Sequence, residues 1–401
     1  MHRISTDLAA IHDYLDVRRP WMARCLLLLL LLAGASGANA AGYACTVLFP
    51  LTLPSGDTTS VLSYATGGQV VGGGGPFNGS PHALLWSGAG AVDLNPSGFN
   101  LSLAFKAFES LQVGYGESAA TGGNNHALLW SGTAASAVDL NPFGFVTSIA
   151  EGVSASQEVG YGSGTVIGGN THALLWSGTA TSAMDLNPSG FDTSYAHGTD
   201  GVQQVGNGTG SVTGGDSHAL VWAGTASSAV DLNPSGFTSS FAIGVGGTQQ
   251  VGYGSPSGGG HHALLWAGTA ASAIDLNPNG LVFSEAESTN GTDQVGFGWA
   301  SPTGSGVSPH ALLWTGTADS VLDLHTLLPV SVGTTWNDSM AYTVDASGNI
   351  FGIADGTMFP NVNGSFAVEW SPVPEPSSVV MMAMSFGRLI LALRTRRRCA
   401  P

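Results

Sequence analysis

Between Ala41 and Val373 this 401-residue chain has no arginine and one lysine, Lys106, against 22 acidic residues, a net charge of −21 for that span. Phosphate backbones need several Lys or Arg for their neutralisation, and anionic lipid needs a polybasic patch, so nucleic acid and lipid headgroups are excluded as partners of this region. Cysteine is nearly absent as well: of three, Cys25 and Cys399 lie near the ends and Cys45 alone lies between, so no internal disulfide forms there. The same span lacks any sustained helical periodicity. It also lacks His-Glu-x-x-His, Gly-x-Ser-x-Gly and a P-loop, and without arginine no guanidinium clamp for phosphate or carboxylate can be built. These absences give the expectation that the chain is not an enzyme. What fills the space is glycine, 59 residues of it, with short runs of β-branched and aromatic residues, the composition of an all-β domain rich in turns.

Long apolar runs occur only at the two ends. Leu26 to Leu32 follow Arg24, and Ala38-Asn39-Ala40 supplies the small-x-small site of a signal peptide, so residues 1–40 are read as a signal and the mature chain as beginning at Ala41. Asp7, Asp13 and Asp16 fit an n-region badly, and Met22 is the better start. At the other end Val373-Pro374-Glu375-Pro376-Ser377 precedes an apolar stretch from Val379 to Leu393 and then Arg394, Arg396, Arg397 and Arg398. A basic stop after an apolar run holds the charged end in the cytoplasm. Gly387-Arg388 interrupts the run, which is shorter than the ~20 residues that span a bilayer.

Residues 372–401 resemble the PEP-CTERM sorting signal, which in Gram-negative bacteria is recognised and cut by the membrane enzyme exosortase. The resemblance implies transient membrane association through the C-terminal segment, processing by signal peptidase and exosortase, and a destination at the cell surface or outside the cell. It implies neither a reaction nor a ligand.

Residues 41–371 are a repeat array of seven units of roughly 46 residues. His-Ala-Leu-Leu-Trp or a close variant has its histidine at His82, His126, His172, His218, His262 and His310, and Ala367-Val368-Glu369-Trp370 is a degenerate seventh copy. A Gln-Val-Gly motif precedes each copy, as at Gln204-Val205-Gly206, and Asp-Leu-Asn-Pro or its equivalent follows the first six, beginning at Asp93, Asp139, Asp185, Asp231, Asp275 and Asp323. Four short strands per unit predict a β-propeller of about seven four-stranded blades, flanked by the signal peptide and a C-terminal sorting helix. A β-solenoid is the alternative. Thr46-Val47-Leu48-Phe49-Pro50 aligns with the Val-Asp-Leu-Asn-Pro strand, which places the seam of a closed ring between the first and last units.

These units are also similar to the extracellular HAF repeat, which carries a His-Ala-apolar-apolar-Trp strand, an Asp-Leu after it and a Gly-Gln-Val-Gly strand pair before it. The stretch from Ser339 to Gly352 is similar to that strand pair. The resemblance implies an extracellular protein of undefined activity.

Each recurring residue has a structural use. A buried Trp removes roughly 150–250 Å² from water, ~4–6 kcal/mol before entropy, so the tryptophans are read as scaffold, with sugar stacking open only to copies that face solvent. His and Asp lie 13 residues apart in five units and 11 apart in the first, a difference that preserves pairing across a hairpin. They are therefore expected to face each other as hydrogen-bonded pairs, the rival being an Asx turn made by Asp alone. Neither reading makes them catalytic or metal-binding. Calcium is the one ion the Asp-x-Asn loops could attract, yet their carboxylates are dispersed where a calcium loop clusters them, and no cofactor is expected.

Unrepeated acid–base candidates are His197, His261, His325, Glu285 and Glu287, none of them in a motif that chemistry requires; Lys106 reads as a solvated loop residue, and the unit from His325 to Trp370 deviates most. The expected function is an exported, exosortase-processed surface or extracellular-matrix scaffold that binds polysaccharide or surface proteins. The alternative is a secreted propeller hydrolase or lyase acting on a glycan.

Overall fold

A computed structural model describes residues 42–51, 64–66, 69–77, 80–87, 90–299, 308–358 and 362–373. The signal-cleavage residues Ala38, Ala40 and Ala41 and the sorting residues Pro374, Glu375, Pro376, Arg394, Arg396, Arg397 and Arg398 lie outside them. No helix among the described residues is long and apolar enough to cross a membrane. Cys45–Pro372 forms one compact unit; residues 1–44 and 373–401 form a second, in which the Val373 N–H donates to the Gly42 carbonyl at 2.8 Å.

The chain is a β-propeller of seven four-stranded antiparallel sheets. In the fourth blade the order from the channel outward is Phe191–Thr199, Gln204–Gly210, His218–Trp222 and Val230–Asp231. Their register runs Ala196↔Gly206, Gly206↔Leu220 and Leu220↔Asp231. The Asp-Leu-Asn-Pro motif thus supplies the outermost strand of the blade whose His-Ala-Leu-Leu-Trp precedes it, and each blade begins one strand later than the units read from Val-Asp-Leu-Asn-Pro onward. The seam follows from this phase. Thr335–Val344, Ile350–Met358 and Val362–Pro372 make three strands of the seventh blade, and Tyr43–Pro50 from the other end of the chain adds the fourth.

Blades are held to one another by the tryptophans. Trp86, Trp130, Trp176, Trp222, Trp266, Trp314 and Trp370 are all fully buried. Trp222 of the fourth blade packs on Val159, Leu175 and Leu186 of the third, and Trp86 packs on Phe351 and Ile353 of the seventh, which carries the same contact across the seam. Each indole is a wedge between sheets. Glycine at the second strand is required by the closeness of the inner one: a Cβ on Gly206 would lie 1.9 Å from the Tyr195 carbonyl oxygen.

Candidate functional site

The His–Asp pairs come together in all six copies, with His Nδ1 2.7–2.9 Å from the Asp Oδ2. They do not stand directly opposite. Asp231 is the register partner of Leu220, two residues on from His218, so the contact is diagonal on one face of the sheet. The Asx turn forms too, because the carboxylate has two oxygens: Asp231 Oδ1 accepts from the Asn233 N–H at 2.8 Å while Oδ2 meets His218.

The network continues into the next blade through a serine that sequence reasoning missed. Ser240 Oγ donates to Asn233 Oδ1 at 2.7 Å and accepts from the Ala219 N–H at 3.0 Å, tying the fourth blade to the inner strand of the fifth. Ser102, Ser148, Ser194 and Ser284 do the same in their blades. Repetition of Ser at one offset after Asn-Pro was the available signal. His325 occupies the position of that asparagine: its Nδ1 lies 2.9 Å from Ser339 Oγ, whose oxygen accepts from the Ala311 N–H. It is a structural substitute, stacked on His310 at 4.1 Å between ring centroids. A satisfied hydrogen-bonded strap, made in blade after blade, is architecture.

The channel is built differently. Each inner strand from the second blade to the seventh has a register shift at the same place, after Ala104, Ala150, Ala196, Ala242, Ala286 and Ala341. A β-bulge re-aims one extra side chain. Those extra residues are Phe105, Glu151, His197, Ile243, Glu287 and Tyr342, five residue types at six positions of an otherwise uniform repeat. Five of them, Phe105 to Glu287, line one cavity of about 260 Å³ together with Lys106, Tyr253 and Glu285. A larger cavity of about 640 Å³ at one mouth shares Lys106, Ile243 and Glu287 with it and includes Tyr342.

Lys106 is thereby corrected from a loop residue to a residue of the inner strand Phe99–Phe108, facing this cavity. Burial lowers its pKa, opposed by the nearby Glu287 and Glu151. His197 is held from both sides, Nδ1 at 2.5 Å from Glu151 Oε2 and Nε2 at 2.7 Å from Asn207 Oδ1, while Asn207 Nδ2 donates to Ser217 Oγ. Burial works against its charged form, but Glu151 and the two hydrogen bonds outweigh it and the pKa is raised. An imidazole facing two acceptor oxygens is in a setting that favours its protonated form.

Glu285 and Glu287 are both pushed up to about 7, by burial and, for Glu287, also by Glu285. Glu285 has a partner in His261, whose Nδ1 is 3.1 Å away and whose own pKa is lowered by burial. His261 is sandwiched by Tyr253 and Phe283 at 4.9 and 4.7 Å. The last blade adds one more perturbed group. Asp338 and Asp355 are register partners, and burial with the second carboxylate raises Asp338 to about 6. Four of the five unrepeated candidates therefore gather around the channel, and the fifth, His325, belongs to the interblade straps. No group of three His, Cys, Asp or Glu with metal-binding geometry occurs among the described residues.

No protein-family model and no curated protein matches the chain. Solved structures do. The β-propeller domain of the trilobed protease from Pyrococcus furiosus is 8% identical, with 78% of this chain and 95% of that one covered and a TM-score of 0.49. A puromycin hydrolase is 10% identical over 74% of this chain and 50% of its own, TM-score 0.47. The acylaminoacyl peptidase from Pyrococcus horikoshii is 9% identical over 80% and 57%, TM-score 0.40. The expectation that the chain is no enzyme is corrected here: the solved structures it is similar to include peptidases by name. At these identities the likeness carries no particular activity across.

Proposed function

We propose that the chain is an exported β-propeller, trimmed by signal peptidase after Ala40 and by exosortase near Pro374-Glu375-Pro376, that works at the cell surface or in the extracellular matrix. There it binds a partner such as polysaccharide through the channel mouth between Lys106 and Glu287. The observation that supports binding at this place is the contrast between a shell whose residues repeat from blade to blade and a channel whose bulge residues are of five types at six positions. Side chains freed from the repeat are free to match a ligand. The apolar ends and the four terminal arginines support the export reading.

Intact-mass spectrometry of medium and envelope fractions, with retention of the protein on polysaccharide from its own host, tests both parts. A product beginning at Ala41 and ending near Pro376, held by the polysaccharide, is expected. A product that keeps Arg396 to Arg398, or one that stays in the cytoplasm, overturns the export reading.

A second reading, in which the ring cleaves its glycan, is favoured by one observation, the Glu285 and Glu287 carboxyls that hold protons up to about pH 7. Acids that exchange protons near neutrality suit glycoside cleavage. Release of reducing ends from the retained polysaccharide, lost in E285Q or E287Q, is its test.

A further inference from the structure

Glu287 stands out among the channel residues. It is 91% buried as a residue of 9% relative exposure, lines the 260 Å³ cavity, and makes no hydrogen bond or close ion pair among the described residues. A buried carboxylate without such partners is costly, and native proteins keep one where something else meets it. Its neighbours account for each other. Glu151 is taken by His197 and Glu285 by His261, and Lys106 acts on Glu287 only at longer range.

Among the described residues the cavity carries the carboxyls of Glu151, Glu285 and Glu287 beside Lys106 and His197. Glu285 and Glu287 hold protons up to about 7, so a cation seated against Glu287 favours its ionised form. Phe105 and Ile243 give the same cavity an apolar wall, and the shared residues connect it to the open mouth. An inorganic cation would want several oxygen ligands in close array, and no such cluster occurs among the described residues. A cation with a carbon skeleton uses both the charge and the wall.

We propose that the channel cavity binds a small organic ammonium ion, of the class to which a hexosamine with a free amino group belongs, with the ammonium seated against Glu287 and the carbon skeleton against Phe105 and Ile243. The ammonium supplies three N–H donors and a charge that favours ionised Glu287; the ring hydroxyls find Glu285 and the Tyr253 hydroxyl. The proposal deepens the binding reading above by naming the ligand's chemistry, and the two fail separately. An unexported protein can still bind the amine in a cuvette, and an exported one can fail to bind it.

The test is calorimetric titration of the purified protein with glucosamine, N-acetylglucosamine and glucose in amine-free phosphate buffer at pH 7. Glucosamine binds and its two neutral counterparts do not, because each lacks the charge. Glu287→Gln weakens glucosamine at least tenfold while its melting temperature stays level or rises, since a buried charge has gone. Lys106→Gln, which removes the competing cation, tightens it. A glucosamine oligomer that binds as tightly as the monosaccharide assigns the site to a polymer end, and weaker oligomer binding assigns it to the free sugar. Should Glu287→Gln fail to fold, Glu285→Gln carries the test, with a weakening of at least threefold expected. Equal binding of N-acetylglucosamine, no binding of glucosamine, or undiminished binding by the carboxamide variants overturns the proposal.

Discussion

Glu158 occupies a position that is glutamine in the neighbouring blades, and the substitution Glu158→Gln should stabilise the ring. Gln112, Gln204, Gln250 and Gln294 are buried and use both ends of the amide: the oxygen accepts from a glycine N–H at 2.7–2.8 Å, as at Gly224, and the nitrogen donates to the carbonyl two residues back, as at Val202. Glu158 keeps the first bond, to Gly178 at 2.8 Å, and has no proton for the second when ionised. Its pKa is raised by burial, against the two backbone bonds that lower it. The amide restores one buried hydrogen bond, ~1 kcal/mol. It also removes the penalty of a buried charge.

Unfolding entropy of ~2.1 cal/mol/K per residue over about 330 residues converts 1 kcal/mol into ~1.4 °C, so a gain of about 1–3 °C is expected at pH 8. The pH dependence carries the sharper information. A carboxyl with a folded pKa above its unfolded value binds more protons folded than unfolded between the two, so wild-type stability falls as pH rises through that interval and is level beyond it. The advantage of the amide must therefore grow from pH 4 to pH 8. Differential scanning calorimetry of both proteins at several pH values measures this. A variant that melts at or below wild type at pH 8, or one whose gain is as large at pH 4, refutes the reasoning.

Glu285 and Glu287, both at about 7, face Lys106, Glu151, His197, Tyr253 and Tyr342, so wild type should lose stability between about pH 4.5 and pH 7, and the raised pKa of His197 adds loss as pH climbs further. His261 and His325, both lowered, oppose this below their unfolded values; Glu287→Gln should flatten the decline in melting temperature, and an unaltered slope would count against the buried carboxyl. Ser194→Ala leaves the Ala173 N–H and Asn187 Oδ1 without their buried partner and should cost ~1–3 kcal/mol, read as a fall in chemical-denaturation midpoint; no change would mean that the straps hold nothing. Cys45 sits on the strand that closes the seventh blade, its thiol pushed up to about 12 by burial and by Glu369, so alkylation at pH 8 should be slow in the native protein and fast in denaturant. Rapid native labelling would show that the closing strand detaches.

The periodicity carried the ring because a blade must bury its own apolar face against its neighbours, and that need repeats with the tryptophans and the Gln-Val-Gly strand. The His–Asp contact was legible for a related reason, as a spacing that changed by two while keeping its side of the sheet. Its diagonal register was not, since the outer strand pairs over two residues only, Val230 and Asp231, and the short hairpin shifts the partner to Leu220. The channel was hidden by the same uniformity that revealed the fold. A bulge after a conserved-looking Ala adds no residue type of its own, so Glu151, His197 and Glu287 looked like scattered substitutions until the register aligned them. Lys106 was misread because it stands where Gly152, Gly198 and Gly244 stand in neighbouring blades, next to the bulge rather than in a turn.

The central claim is that recognition happens at the unrepeated bulge residues within the ring. A crystal structure of the protein with glucosamine tests it most directly. The account predicts ligand density in the channel with its amino nitrogen within 3.2 Å of the Glu287 carboxylate, a hydrogen-bonding distance. Density on the outer faces of the blades, against the repeated His and Asp residues, with the channel unchanged, would contradict it.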